Sequence, residues 1–167
     1  MPIIPPPSQS VEAAHEEAIN AYLVTELGFP MDYPEWATEP ADSPKGIVRI
    51  VGSNEIITGN MRTIEAIAEV RLIVAHNNAV QGYRLLKDWG AALATAMKKL
   101  RENGITGTYR GVALNKACGG IHPIERMGYP SRDNSQGQAI GDSAFVGYVL
   151  GKYSFVIEQI RLDEWEG

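Results

Sequence analysis

Cysteine occurs once in this chain, at position 118, which excludes an internal disulfide framework and fits folding in a reducing compartment. The excess of lysine and arginine that drives nucleic-acid binding is also missing. With 15 basic against 20 acidic residues the net charge is −5, so DNA or RNA is not expected as the main partner and only local basic patches remain. No run approaches the ~20 apolar residues needed to span a bilayer, and the opening MPIIPPPSQS has no basic segment ahead of an apolar core. No membrane partner is expected, and the protein should stay soluble where it is made. The motifs that carry chemistry are absent too: there is no Gly-x-Gly-x-x-Gly, no phosphate loop, no His-Glu-x-x-His and no Gly-x-Ser-x-Gly.

The reactive residue types that do occur do not assemble into a centre. KACGGIH places Cys118 and His122 on either side of two glycines, but a functional Cys and His pair seldom lies within one short loop, so an inert thiol is expected. His15 lies among helix glutamates with no second His or Cys at ligand spacing and is expected to be solvated. His76 closes a strand and reads as a turn residue. No catalytic residue, cofactor or metal ion is expected, and the chain is not read as an enzyme.

What is present is a long alternation. In MRTIEAIAEVRLIVAH, residues 61–76, the even positions from Ile64 to Val74 are all apolar, while Thr63, Glu65, Glu69 and Arg71 stand at odd positions. Successive strand side chains point to opposite faces, so this period of two predicts a strand with one buried face. At ~3.3 Å per residue it reaches roughly 40–50 Å, far beyond a usual strand, and its end is expected to project from the body. Glu65 and Glu69 are separated by about 13 Å along such a strand, too far to share a proton, so ion pairing across strands or between subunits is their expected use.

The remaining chain predicts a single α+β domain over 1–167, with an antiparallel, mostly meander sheet on two helices. Residues 1–9 read as a proline-rich extended arm. A helix capped by Ser10 follows and stops at Gly28. Residues 29–45 form a proline-rich loop in which Tyr33 and Trp36 are the large anchors, tacked onto the host domain or inserted into a partner. Short strands are expected at 46–51 and 55–57, separated by a turn at Gly52, Ser53 and Asn54. A second turn at Gly59 and Asn60 makes a hairpin that extends from the body. A helix over 81–102 buries Leu86, Trp89, Leu93, Ala96, Met97 and Leu100, with Lys98, Lys99 and Arg101 as solvated charges at its negative end. Gly90, Ala91, Ala92 and Ala94 leave room for a helix or the sheet to approach. One short strand is expected at 106–115, then a long binding or assembly loop over 116–142. A last strand over 143–160 sets Phe145, Val149, Tyr153, Phe155 and Ile157 against Tyr148, Lys152, Ser154 and Glu158, with bends or bulges at Gly147 and Gly151.

The order of these elements over 10–160 resembles the tail terminator and related tail-completion or neck proteins of long-tailed bacteriophages. The strand MRTIEAIAEVRLIVAH leading into YRLLKDWGAALATAMKKL, and the closing VGYVLGKYSFVIEQI, carry the resemblance. It implies a virion protein at the tail or neck, assembled in the host cytoplasm. Copies would close into a ring, usually a hexamer, that halts growth of the tail tube and meets the head connector. The implied partners are further copies, the tube protein, connector or neck proteins and, where a tail has one, the tail sheath, with DNA passing through the lumen without specific binding. Contacts between copies or with partners are expected at Tyr33, Trp36, Glu65, Glu69, Arg71, Arg110, His122, Arg126, Arg132 and Lys152. A head-closure or other neck role, and a small-molecule- or peptide-binding α+β adaptor unrelated to phages, are the alternatives. An enzyme working through Cys118 or the acidic strand face is a third.

Overall fold

The computed structural model describes residues 10–31, 44–133 and 145–162. The arm at 1–9, the loop residues Tyr33 and Trp36, and the part of the long loop beyond Asp133 lie outside the described residues. The fold is α+β, with an antiparallel sheet packed on two helices.

Helix α1 (Val11–Leu27) begins where the Ser10 hydroxyl accepts from the Ala13 amide at 3.1 Å and ends at Gly28, whose left-handed φ of 79° lets its N–H reach the Val24 carbonyl. Strands β1 (Lys45–Thr58) and β2 (Met61–His76) form one long hairpin. Gly52, Ser53 and Asn54 do not turn the chain. The ladder continues through them with a bulge between Ile50 and Gly52, so the two short strands expected there are one. Helix α2 (Ala79–Asn103) is capped by Asn78, whose side chain accepts from the Gln81 amide at 3.0 Å. Every residue of its expected stripe is buried except Trp89, which is half-buried against Phe29.

The segment expected as one strand at 106–115 is a hairpin of β3 (Ile105–Tyr109) and β4 (Val112–Ala117). Its two-residue turn has Arg110 at φ 49° and Gly111 at φ 78°, the mirror-image geometry that matches strand twist. Arginine adopts positive φ at a cost that asparagine largely avoids. Arg110→Asn is therefore expected to stabilise the fold by about 0.5–1 kcal/mol, read as a higher urea midpoint at unchanged slope.

The chain then runs along the last strand, β7 (Phe145–Arg161), as two short pieces, β5 (His122–Pro123) and β6 (Ser131–Asp133). The described part of the long loop is thus a strap on the sheet edge. The sheet order is β1-β2-β7-β5, with β6 also on β7. The bulge in β7 falls at Ile157, where Ile64 faces Glu158 and Glu65 faces Val156, and not at Gly147 or Gly151. Those glycines leave space for the rings of Phe145 and Tyr153.

The even-numbered residues Ala66 to Val74 of β2 are fully buried and share one core with Ile19, Leu23, Leu86, Leu93, Leu100, Phe145, Val149 and Phe155. Two polar residues depart from expectation. His15 is buried, not solvated: its ring lies 5.6 Å from that of Phe155, and its Nδ1 is 2.7 Å from the Val11 carbonyl, so the polar atom is satisfied within the helix. Ser154 is also buried, between its ladder partners Ile67 on β2 and His122 on the strap. The close approach at Gly90 is made by Tyr129 of the strap rather than by a helix.

Candidate assembly surfaces

Two surfaces stand out on this frame. The first is the far end of the sheet. Beyond Ile50, Ala66 and Ile157 none of the three long strands gives a residue to the core, yet β1, β2 and β7 stay paired as far as Thr58, Met61 and Arg161. The five residues of β2 before Ala66 alone carry this ribbon roughly 15–20 Å past the packed body. Its apolar residues are not hidden. Val51, Ile56, Ile57 and Val156 are 53, 43, 58 and 44% exposed. The ladder puts Ile56 and Val156 on one face, while Ile57, aligned with Arg62 and Ile160, lies on the other. There Ile57, Ile160 and Leu162 line a hollow of about 300 Å³, bordered by the Arg62 and Glu55 ion pair at 3.0 Å. Among the described residues no strand flanks β1 on its outer side, and none flanks β7 beyond Ser154. Near the body the β1 edge is covered: the Glu16 carboxylate accepts from the Ile50 amide at 2.8 Å, and the Pro30 carbonyl from Gly46. Along the ribbon no described strand pairs with either edge, the condition under which strands recruit another chain.

The second surface is a cleft of about 650 Å³ between α2 and the strap. It exists because the strap leaves the sheet between two anchors. Ile124 donates to the Lys152 carbonyl and Gly128 to the Leu150 carbonyl, so Glu125, Arg126 and Met127 swing outward opposite Gly151. Met97, Ile121, Met127 and Tyr153 supply apolar lining. Lys98, Arg101, Arg126 and Lys152 supply four cations against one carboxylate, Glu125, which lies 3.6 Å from Lys152.

Of the residues expected at contacts, the structure gathers several. Glu69 faces Arg49 on β1 and Lys152 on β7, and accepts from Arg71 at 2.8 Å, forming a charged band across the face of the sheet opposite the core. Arg126 and Lys152 meet at the cleft. Glu65 stands apart on the ribbon, between Asn54 and Val156. His122 lies opposite Ser154 with its Nδ1 3.2 Å from the Gly120 carbonyl, and the Arg132 backbone pairs with Val146. Arg110 is not brought to the sheet at all; it tips the separate β3–β4 hairpin, which packs on α1. The ribbon apolar residues are not marked as contacts by the sequence, and the pair Lys98 and Arg101 reads there only as solvated charges at the helix end. The latter share a helix face with Ala94 and Met97 at three- and four-residue spacing, a signal that dipole charges alone would not need.

Cys118 is buried, at φ 63°, and burial pushes its thiol up to about 12. That is the reverse of an activated nucleophile. Burial likewise raises Tyr22 and Tyr153 to about 12, with Glu26 and Tyr129 respectively adding to it. Each group is held neutral in the folded chain to higher pH than in the unfolded one. From about pH 9 the unfolded state therefore binds fewer protons, and stability falls as pH rises through the interval to 12. The melting temperature is expected to drop over that range, with a shallower drop in Cys118→Ala. Iodoacetamide labelling at pH 8, followed by mass spectrometry, should be slow until denaturant is added.

Among the described residues no three His, Cys, Asp or Glu side chains converge as metal ligands, and no helix is long and apolar enough to cross a membrane. In searches of known protein families and of curated proteins, none matched this chain.

Proposed function

We propose that this chain is a structural virion protein that closes into a ring, in the hexameric manner implied by its resemblance to phage tail terminators, at the head-proximal end of a tail. In this role it stops growth of the tail tube and joins the tail to the connector, and it performs no chemistry. The observation that carries the reading is the three-stranded ribbon, which leaves the core, keeps its backbone pairing, and presents apolar residues on both faces between two edges that no described strand covers. A monomer gains little from such an extension, because it orders backbone without burying side chains. A head-to-tail contact between copies buries it, and closure of the ring uses every contact without forming an open fibre.

Two measurements test this. Mass photometry of the purified chain, alone and with tail tubes, should show a discrete ring, and negative-stain microscopy should show its central hole. Virions made without the protein should carry tails of uncontrolled length. A chain that stays monomeric both alone and on tubes would sink the reading, and normal-length tails without heads would move the role from termination to joining.

A further inference from the structure

We propose that the cleft between α2 and the strap receives the Asp163–Glu166 segment of a neighbouring copy, so that each ribbon delivers its own acidic extension to the next subunit. The geometry of this contact rests on the ring reading above. Residues 163–166, Asp-Glu-Trp-Glu, follow Leu162 at the ribbon tip, where the Leu162 amide donates to the Asn60 carbonyl. They carry three carboxylates around one indole. The cleft has the complementary make-up: four cations against the single carboxylate of Glu125, which lies 3.6 Å from Lys152, and an apolar lining of Met97, Ile121, Met127 and Tyr153. Carboxylates set among the rim cations fix register and speed encounter, while the indole removes apolar surface from water and lies against the thioethers.

Reach decides which copy supplies the segment. The cleft meets β7 at Gly151, Lys152 and Tyr153, whereas β7 continues from there, paired with β2 on both sides of its bulge, to the ribbon tip. Leu162 lies nine residue steps along the chain from Tyr153, on the order of 25–30 Å. Trp165 stands three residues past Leu162, within about 11 Å of chain. It does not reach back to the cleft of its own subunit. A cleft on the body and a ligand at the ribbon tip are different patches, so the contact is heterologous, the type that builds rings.

The test separates binding from assembly. A full-length chain with Asp163→Lys, Glu164→Lys and Glu166→Lys keeps its cleft but loses the native extension. A fluorescein-labelled peptide of residues 160–167 should bind it, read by anisotropy. Adding Lys98→Glu and Arg101→Glu, both at exposed positions, should weaken binding at least about tenfold. In assembly, the extension reversal alone and the cleft reversal alone should each shrink the particle, and the chain carrying both should regain wild-type size. Absence of peptide binding, or binding unchanged by the cleft reversal, overturns the inference. A ring that persists with reversed extensions also overturns it while leaving the ring reading standing. A chain that stays monomeric overturns the inference together with the ring reading, even where the peptide binds through Lys98 and Arg101.

Discussion

Phe145→Ala is expected to destabilise the fold by about 3–5 kcal/mol, because the ring fills a slot that its neighbours cannot close. Phe145 is fully buried, and its Tyr83 neighbour lies with ring centroids 4.7 Å apart. The slot is made by glycines. A Cβ at Gly82 would fall 2.3 Å from Phe145 Cδ1, and one at Gly147 would meet both the same ring and Leu86 at 2.8 Å. Helix propensity and packing therefore oppose each other at Gly82. Alanine there gains about 1 kcal/mol as a helix former, whereas overpacking costs typically 1–3 kcal/mol. Packing should win, because the nearest atoms belong to an inflexible ring with the sheet behind it. Gly82→Ala is thus expected to lower the urea midpoint, and the loss should shrink in a Phe145→Leu background, as coupling between touching residues requires. A rise in stability for Gly82→Ala alone would show that the helix and β7 are not in such close contact.

How much of this was legible in the sequence depended on whether a signal was local. β2 was readable residue for residue because its alternation is long and bounded by Gly59-Asn60 and Asn77. The stripe of α2 was readable because it repeats over about four turns, from Leu86 to Leu100. The turn signal at Gly52 was overruled by pairing with β2, which continues on both sides and absorbs Val51 as a bulge. The Arg110-Gly111 turn was hidden because arginine is a poor resident of positive φ. His15 was misplaced because its burial comes from Phe155, 140 residues away in the chain, and its satisfied Nδ1 has no sequence signature. The strap was read as loop because β5 and β6 are only two and three residues long and borrow their regularity from β7. The site divided the same way. Glu69, Arg71 and Lys152 are legible as outward charges because they occupy alternate positions on readable strands, whereas the cleft joins α2 to a strap that no periodicity announces.

The ribbon gives the sharpest separation of folding from assembly. A chain with Ile56→Asp, Ile57→Asp and Val156→Lys, the last set opposite Glu65, is expected to keep its melting temperature within a few degrees, since the three side chains are exposed and surface substitutions away from special features usually change stability by less than about 0.5 kcal/mol each. Assembly should fail outright. Burying one such side chain in a contact contributes roughly 1.5–3 kcal/mol, and each new charge must also be desolvated, so three changes weaken association by well over about a hundredfold. Val24→Asp, an equally open apolar position on α1, should leave both properties intact. Phe145→Ala should lose stability first and assembly only as a consequence. Sedimentation velocity and circular dichroism on the same samples distinguish the three patterns. If the triple ribbon variant sediments as the wild type does, the exposed isoleucines are not where copies meet, and the length of β2 needs another cause.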